Sequence, residues 1–425
     1  MPHTLTTLTK NFVLSVPRSK LKLTSRSTLG PDMNIDGPSS VPVPSGLTHP
    51  AQSSGNIVQT ATTPITVCLI EDPRLLAVAD DLPAIRGRAS RVSSLLRSYG
   101  ITSQLQVIPA PLASVEDLNA FHSWDYLEVL QKLEADDELP DEVLDDYGLL
   151  HDCPILPKIL TVCRVLGGGS IKAAQCLANG SGQVSVNWHG GWHHAQRDHA
   201  AGFCYVNDAV LAILELKKTF SHVLYLDLDI HHGDGVENAF AFTPNVFVAS
   251  IHLWESGFYP GSGTAEDQGL GRGQGFSLNV PLKRGTTDER FTRTCQRLVD
   301  RILEKFQPDA IVCQLGCDGL NGDPLGGFNL TQEAYVNCVA ILKRLEKPLL
   351  LLGGGGYIWT KAAITWTSVM ASIMSVHLPL DIPEDDLYFL EYGPSYDRLI
   401  TKSNIKDENS DLKSKSGNYG QNLIS

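Results

Sequence analysis

The sequence predicts a single α/β domain with a central, mainly parallel β-sheet, helices on both faces, and an active site at the C-terminal ends of the strands. Three observations lead to this fold class. Short apolar runs alternate with longer segments of helical periodicity, 42% of the 425 residues are hydrophobic, and reactive polar residues follow the apolar runs directly. Such an alternation favours parallel strands joined by right-handed helical crossovers.

Seven apolar runs have the length and composition of buried strands. They are residues 66–70, 183–188, 223–230, 246–252, 276–282, 310–316 and 348–352. Helical periodicity predicts four helices, at residues 169–178, 207–218, 288–306 and 331–345. The helix predicted at 288–306 has an acid near its start, and the one at 207–218 ends in basic residues; the helix dipole favours both arrangements.

Both ends of the chain differ in composition from the domain, which we predict to span residues 65–400. Residues 1–64 are rich in Ser, Thr and Pro without periodicity, which predicts a disordered extension. Residues 401–425 predict a polar flexible tail. The N-terminal segment is basic like an organelle transit peptide but has no amphipathic period, so mitochondrial targeting is a minor alternative.

The overall composition excludes several classes of protein. No apolar run is long enough to span a bilayer. The nine cysteines are scattered and include no CxxC pair, which is typical of a reduced, intracellular protein. A formal net charge of -13 argues against a surface for duplex nucleic acid and favours a basic partner such as a lysine-rich peptide.

A metal site is predicted in residues 227–234, DLDIHHGD, which end an apolar strand. Side chains two apart on a strand share a face, so Asp227, Asp229 and His231 are expected to project together. Burial of two carboxylates favours a cation that neutralises them. For a single Asp-x-His pattern, a solvated strand end is the more common structure, so the hypothesis depends on the other strands.

Three further strand ends bring polar residues to the same edge of the predicted sheet. Each of these polar segments directly follows an apolar run; they are NWHGGWHH at 187–194, GCD at 316–318 and GGGGY at 353–357. A chance scatter would also put such residues in helices and at the opposite edge, so the clustering favours a functional site.

Asp229, His231 and Asp318 are the candidate metal ligands. Three protein ligands leave a position for water or substrate, which distinguishes a catalytic zinc site from a closed structural one. Two carboxylates with one imidazole favour Zn²⁺, with Fe²⁺ as the alternative for this ligand type.

His193 and His194 follow a Gly-Gly turn and are candidates for proton transfer, with Asp227 and Asp234 as the acids left to orient them. An equal alternative is that one His is a further metal ligand and the other is packed or faces solvent. Tyr357 follows four glycines and is suited to donate a hydrogen bond to an oxyanion. A phosphate-binding loop is the rival, but no Lys-Ser/Thr follows the glycines.

Six segments of the sequence are distinctive: NWHGGWHHA, AGFCYVNDAVLAIL, LDLDIHHGDGVE, FYPGSG, QLGCDGLNGDP and LLGGGGY. Together they resemble the class I zinc-dependent histone deacetylases. The resemblance runs from about residue 64 to about residue 400, and the order and spacing of the motifs make it specific. It implies the arginase/deacetylase fold. It also implies hydrolysis of N6-acetyl-lysine, in histones or other proteins, to lysine and acetate without a covalent intermediate.

By this resemblance, Asp229, His231 and Asp318 correspond to the zinc ligands. Members of the family also bind monovalent cations such as K⁺, one of them beside the zinc through groups that include Asp227, Asp229, His231 and Ser250. The resemblance therefore implies two kinds of metal cofactor.

The catalytic residues implied by the resemblance act on the substrate carbonyl and on the attacking water. His194 corresponds to the general base that later protonates the leaving amine, and His193 to its electrostatic partner. Asp234 is paired with His194 and Asp227 with His193. Tyr357 corresponds to the phenol that polarises the carbonyl and stabilises the oxyanion.

The residues implied to contact the substrate belong to a narrow tunnel and its rim. They are Asp152, Gly202, Phe203, Tyr259, Leu325 and Gly355. Gly202 and Phe203 match one wall of the tunnel, and Asp152 matches a rim carboxylate that holds the substrate backbone. Tyr259 stands in the opposite wall where Phe is usual, which adds a hydroxyl.

Other departures point to a branch of the family. Pro324 and Thr360 stand where complex-forming members carry arginines that bind inositol phosphates, which argues against inositol phosphate and co-repressor docking. The sequence is therefore similar to the histone deacetylase 8-like branch. His189 replaces a usual small residue. Ser90 follows two arginines, as basic-directed kinases favour, and is equally suited to cap a helix.

The expected partners are acetylated histone tails or other acetyl-lysine proteins, with no direct binding to nucleic acid or membrane. The expected compartment is the nucleus, with the cytoplasm second. One alternative is an acetylpolyamine or small-amide hydrolase of the same fold, which would need a more occluded tunnel. A catalytically inactive scaffold is a further alternative, but it would be expected to have lost a ligand, His194 or Tyr357.

Overall fold

The computed structural model describes residues 65–409, which lie in one compact unit. Eight strands form a single sheet: β1 Val67–Ile70, β2 Gln106–Ile108, β3 Val184–Asn187, β4 Val223–Asp227, β5 Val246–Leu253, β6 Ser277–Leu282, β7 Ala310–Gln314 and β8 Leu349–Leu352. Their order is β2-β1-β3-β8-β7-β4-β5-β6, and every neighbouring pair is parallel. The predicted fold class is confirmed.

Helices connect the strands, as the alternating pattern predicts. They are α1 Pro73–Asp81, α2 Arg88–Ser98, α3 Val115–Asn119, α4 Trp124–Glu134, α5 Asp141–Asp146, α6 Ile159–Ala178, α7 Asp208–Leu216, α8 Asp234–Phe240, α9 Asp288–Leu303, α10 Gln332–Lys343 and α11 Trp359–Met374. The predicted helices at 207–218, 288–306 and 331–345 agree with α7, α9 and α10 to within one helical turn.

Helix α6 begins ten residues before the predicted start at residue 169. Its Gly167-Gly168-Gly169 run is a poor helix former, but each glycine is in a close contact that a side chain would block. A Cβ on Gly168 would lie 2.1 Å from the carbonyl oxygen of Pro111, and one on Gly169 would lie 2.9 Å from Nδ2 of Asn187. Tertiary packing therefore overrides the local propensity.

Alternate residues of each central strand face two hydrophobic layers. Leu224 and Leu226 of β4 pack in a core with α2, α9, α10 and α11, whereas Val223 and Tyr225 pack in a core with α1, α4, α6 and α7. Burial on both faces makes the sheet a rigid support. The loops that follow β3, β8, β7 and β4 start from neighbouring strands and meet at one edge.

Strand β4 ends at Asp227, three residues earlier than predicted. Leu228 makes one further bond to the Gln314 carbonyl (3.0 Å), after which carboxylates accept the backbone N–H groups. Asp318 Oδ1 accepts from Ile230 at 2.9 Å, and Asp229 Oδ1 accepts from His231 at 3.0 Å. The expectation that Asp229 and His231 lie on the strand is therefore wrong, because this backbone leaves the sheet after Leu228.

The structure describes residues 401–409 of the predicted tail, and they bond to the domain. Asn409 is 2% exposed, accepts from the N–H of Lys283 at 2.9 Å and donates to the hydroxyl of Thr286 at 2.9 Å. This part of the segment therefore packs against the residues before α9. The predicted extension at 1–64 and the remainder of the tail at 410–425 lie outside the described residues.

All nine cysteines of the chain lie in the described part, and each is free and buried. Among residues 65–409, no helix combines the length and the apolar character needed to cross a bilayer.

Candidate active site

The three predicted metal ligands meet at the C-terminal edge of the sheet. Asp229 and His231 follow β4, and Asp318 follows β7. One ligand atom from each residue lies within 4.8 Å of the other two, and all three side chains are buried. Nδ1 of His231 is 3.1 Å from Oδ1 of Asp229 and 3.0 Å from Oδ2 of Asp318. The described residues contain no other such group of His, Cys, Asp or Glu side chains.

The charges in this cluster fit a divalent cation. Burial, and then the charge of Asp229, raise the pKa of Asp318. Burial lowers the pKa of His231, but the charges of Asp318 and Asp229 outweigh it and raise this pKa to about 10. Two buried carboxylates that repel each other across one imidazole form an oxygen and nitrogen donor set that suits Zn²⁺ or Fe²⁺.

Two adjacent imidazoles lie beside the ligands, each bound to its own carboxylate. Nδ1 of His193 is 2.8 Å from Oδ2 of Asp227, and Nδ1 of His194 is 2.7 Å from Oδ1 of Asp234. The two ring centroids are 4.0 Å apart. Because a carboxylate occupies Nδ1 in each case, Nε2 is the nitrogen left for chemistry. The three-residue ligand cluster includes neither imidazole.

The two imidazoles differ in basicity. Burial lowers the pKa of His193, but the charges of Asp227 and Asp229 raise it to about 9. Burial, and then the charge of His193, lower the pKa of His194 to about 4 against the opposing effect of Asp234. His194 is therefore the neutral member of the pair near pH 7 and the one able to accept a proton.

Tyr357 ends a glycine loop that packs directly on the metal ligands. The N–H of Gly355 donates to Oδ2 of Asp229 at 2.9 Å, and a Cβ on Gly355 would lie 2.0 Å from Oδ2 of Asp318. Glycine is therefore required for this close approach. Burial raises the pKa of Tyr357 well above its usual value, so the phenol keeps its proton and is able to donate a hydrogen bond to an oxyanion.

The predicted tunnel residues surround the imidazoles. The ring of Tyr259 stands edge-on to that of His194, with centroids 4.9 Å apart and an interplanar angle of 84°. Gly202 has a φ of 53°, and a Cβ on it would lie 2.5 Å from Cδ2 of His194. Its N–H donates to Oδ2 of Asp152 at 2.9 Å, so the exposed carboxylate of Asp152 holds this wall against the site.

Two cavities meet at Tyr357. The smaller, of about 20 Å³, is lined mainly by the reactive residues, which are His193, His194, Asp229, His231, Gly202, Gly355 and Tyr357. The larger, of about 410 Å³, opens toward the surface and is mostly apolar; its lining includes Leu82, Pro83, Asp152, Trp192, Phe203, Pro324, Leu325 and Tyr357. The reactive groups therefore lie at the bottom of an entrance lined by apolar side chains.

Two polar residues inside strands orient the carboxylates, and neither was predicted. Gln314, the last residue of β7, donates from Nε2 to Oδ2 of Asp229 at 2.9 Å. The hydroxyl of Tyr225 in β4 donates to Oδ2 of Asp227 at 2.7 Å. Both interrupt an apolar run, and a polar side chain in a fully buried strand is the signal that would have identified them.

A second unpredicted pair fixes the loop that carries the histidines. The carboxylate of buried Asp208 accepts from the N–H groups of Gly191 at 2.9 Å and Trp192 at 2.8 Å. The Asn207 amide donates to the carbonyl of His193 at 3.2 Å. Asn207 caps α7, and this local role concealed its longer-range contacts in the sequence pattern.

His232, for which the sequence suggested no role, is buried with His252 under the loop that follows β5. A Cβ on Gly263 of this loop would lie 2.5 Å from Cγ of His232 and 2.6 Å from Nε2 of His252. The same loop carries Phe258, whose ring stacks on His231 with centroids 5.1 Å apart. The two buried imidazoles therefore support the loop behind a metal ligand.

The sequence profile of the histone deacetylase domain matches residues 82–373. The chain belongs to the histone deacetylase family. Histone deacetylase 8 of Danio rerio is 40% identical over 344 residues, which cover 81% of this chain and 91% of the relative. Histone deacetylase 8 of Xenopus tropicalis is 42% identical over 326 residues, 77% of this chain and 88% of the relative. Human histone deacetylase 1 is 38% identical over 323 residues, 76% of this chain and 67% of the relative.

These similarities confirm the predicted resemblance to class I histone deacetylases and to the histone deacetylase 8-like branch. The parallel sheet with helices on both faces agrees with the predicted arginase/deacetylase fold. The predicted metal, catalytic and substrate-contacting residues all lie at the same edge of this sheet.

The structure gives positions to three residues that were singled out from the sequence. Pro324 lines the larger cavity, and Thr360 lies in the first turn of α11. Ser90 lies inside α2, where its N–H donates to Oδ1 of Asp80 at 3.0 Å and its hydroxyl donates to the same carboxylate. Gly87 is the N-cap of this helix, so Ser90 does not have the predicted capping position.

His189, which is expected from the sequence to replace a usual small residue, is buried and has a measurable consequence for stability. Burial, and then the charge of Arg88, lower the pKa of His189 to about 3. The ordinary value in an unfolded chain is about 6.5. Between these values the unfolded chain binds a proton that the folded protein does not, so stability falls as the pH falls below about 6.5.

Replacing His189 with serine is expected to lessen acid destabilisation. At pH 5, protonation of His189 in the unfolded chain lowers the free energy of unfolding of the wild type by about 2 kcal/mol, because each pKa unit is worth about 1.4 kcal/mol. The serine variant has no such group to protonate. Thermal melts at pH 7 and pH 5 should show a smaller fall in Tm for His189→Ser than for the wild type. His199→Ser, in a partly exposed loop, is the control. Equal falls in Tm for the wild type and His189→Ser would contradict the prediction.

Proposed function

We propose that this protein hydrolyses N6-acetyl-lysine in proteins to lysine and acetate, with the residues described above in the roles below. One observation supports this most directly. Two members of the three-residue metal-ligand cluster, Asp229 and His231, border one cavity of about 20 Å³ together with two carboxylate-bound imidazoles and a protonated phenol. As a member of the histone deacetylase family, the chain is a hydrolase of amide bonds.

Asp229, His231 and Asp318 would hold the catalytic metal ion, which we propose to be Zn²⁺ with Fe²⁺ as the alternative. When bound, the ion supplies Lewis acidity to the amide carbonyl and to the attacking water. We also propose a monovalent cation such as K⁺ close to Asp227 and Ser250. These two residues face each other in the register of β4 and β5.

His194 would accept the proton of the attacking water at Nε2 and then return it to the leaving lysine nitrogen. Its bond to Asp234 fixes the tautomer that leaves Nε2 free. His193, bound to Asp227, would act as the charged neighbour that stabilises the developing negative charge. The phenol of Tyr357 would donate a hydrogen bond to the oxyanion as the amide carbon becomes tetrahedral.

The acetyl-lysine side chain would extend between Phe203 and Tyr259, whose rings suit its apolar methylene chain. Gly202, Leu325 and Gly355 would complete the walls without blocking the entrance. Asp152 is exposed at the rim, where its free lone pairs are suited to accept N–H groups of a substrate backbone.

We propose acetylated histone tails and other acetylated proteins as the substrates, the nucleus as the main compartment, and residues 65–400 as the catalytic domain. The net charge of -13 supports a basic protein substrate. We propose no contact with nucleic acid, membrane or an inositol phosphate as part of this activity.

The purified full chain is expected to deacetylate an acetyl-lysine peptide. A chelator should remove the activity, Zn²⁺ or Fe²⁺ should restore it, and a hydroxamate should inhibit it. An N-acetylated polyamine, assayed in parallel, tests the alternative substrate class. Faster turnover of the polyamine would favour that class, and no metal-dependent turnover of either substrate would overturn the proposal.

A further inference from the structure

Asp323 connects the two loops that border the entrance to the active site. Its Oδ2 accepts from the backbone N–H of Tyr357 at 2.8 Å, and its Oδ1 accepts from the backbone N–H of Leu325 at 3.0 Å. Tyr357 belongs to the glycine loop after β8, whereas Leu325 belongs to the loop after β7. One carboxylate therefore fixes the spacing between two separate segments at the point where the two cavities meet.

The turn that holds Asp323 is itself fixed by hydrogen bonds. The N–H of Asp323 donates to the Leu320 carbonyl, and its own carbonyl accepts from the N–H of Gly326, both at 3.1 Å. On the other side, Nζ of Lys361 in α11 donates to the carbonyl of Asn321 at 2.5 Å. The carboxylate is therefore held on a backbone that has little freedom to adjust.

We propose that Asp323 is a positioning residue for deacetylation, which holds the Tyr357 phenol in its reactive orientation. This inference rests on the proposed function, because it assumes that Tyr357 donates to the oxyanion. Four consecutive glycines precede Tyr357, and a backbone without side chains depends on hydrogen bonds for its rigidity, such as those from Gly355 N–H to Asp229 and from Arg88 to the Gly356 carbonyl. The bond from the Tyr357 N–H to Asp323 supplies that rigidity directly at the reactive residue.

Both oxygens of the carboxylate serve this role, because one accepts from the Leu325 N–H in its own loop and the other from the Tyr357 N–H in the glycine loop. Asparagine has the same size but has one oxygen and one NH₂ group. It can therefore satisfy one of the two N–H groups, while its NH₂ meets the other donor. Asp323→Asn consequently keeps the volume and loses one of the two bonds, whereas Asp323→Ala loses both.

Asp323→Asn is expected to lower kcat on an acetyl-lysine peptide by about tenfold or more with little change in KM, because a misplaced catalytic group mainly affects the transition state. Asp386→Asn is the matched control. Oδ1 of Asp386 accepts from the N–H two residues ahead, in Tyr388, at 2.8 Å, and Oδ2 accepts from the Ser94 hydroxyl at 2.7 Å. It should lose a similar amount of thermal stability and keep its kcat.

A double-mutant cycle separates positioning from a general structural effect. If Asp323 acts through Tyr357, Asp323→Asn should lower kcat by less than about threefold in a Tyr357→Phe background, since the phenol is already absent. The inference is overturned if the two substitutions multiply, or if Asp323→Ala, which removes both bonds, retains the wild-type kcat. Failure of the proposed function is distinguishable, because the wild type would then not hydrolyse the peptide at all.

Hydrogen exchange provides a second test that does not depend on the variant being folded. In the wild type, the peptide that contains Tyr357 should be protected from exchange, because its N–H is bonded to Asp323. Rapid exchange of this peptide in the folded wild type would overturn the inference. In folded Asp323→Asn, protection should fall at this peptide and stay unchanged at β8.

Discussion

Asp318→Ala is expected to remove both the bound metal and deacetylation, with a fall in kcat/KM of about 10³-fold or more, since the Lewis acidity of the ion is worth several kcal/mol. Asp318 is fully buried, and Nδ1 of His231 lies 3.0 Å from its Oδ2. Alanine would leave two ligands, too few for a stable three-ligand site. The substitution also frees the N–H of Ile230, so some loss of stability is expected.

Metal content and turnover should be measured on the same preparation. Asp309→Ala is a suitable control, because this carboxylate also accepts a backbone N–H, from His222 at 2.9 Å, but lies far from the ligands at the start of β7. The control should keep its metal and its activity. The metal assignment would be refuted if Asp318→Ala retained a full equivalent of metal and wild-type turnover.

His194→Ala is expected to lower kcat by about 10²–10⁴-fold while the metal stays bound, since this is the usual contribution of general acid–base catalysis. His194 is outside the ligand cluster, and its Nδ1 bond to Asp234 at 2.7 Å leaves Nε2 for proton transfer. Retention of metal thus separates this variant from Asp318→Ala. The two losses test different halves of the same mechanism.

Steady-state kinetics with a metal assay and a hydroxamate-binding measurement would test this prediction. Added imidazole should restore part of the activity of His194→Ala, because it can occupy the vacated position and carry the proton. The exposed His222 provides a control, and His222→Ala should behave as the wild type. A His194→Ala protein with near wild-type kcat, or one without metal, would argue against the role proposed for this residue.

Much of the fold could be predicted because its strands are buried on both faces. Strand β8, for example, is an uninterrupted apolar run in the sequence, and the glycines that follow mark its end. Strand β2, with three partly exposed residues, gives no such signal. The glycine run in α6 wrongly suggests a break before the helix. Close packing, rather than a turn, requires those glycines.

Predictions for the site were more successful for residue types than for geometry. The structure places the acids, imidazoles and glycines from the strand ends close together, and the motifs correctly indicated the family. The strand predicted through Asp229 and His231 ends at Asp227, because hydrogen bonds to carboxylates divert the backbone after that residue. Gln314, Asp208 and Asp323 escaped prediction because their partners lie far away in the chain.

By itself, the sequence determined the fold class, the family and the set of reactive side chains, because each depends on local patterns of hydrophobicity or on motif order. The tertiary structure decided which groups meet. The family resemblance implied the pairs His193–Asp227 and His194–Asp234, which local patterns left open, and the structure shows them, together with the bond from the Tyr357 N–H to Asp323, at 2.7–2.8 Å. These pairings join residues 34 or 40 positions apart, and local periodicity cannot specify contacts that depend on how the loops leave the sheet.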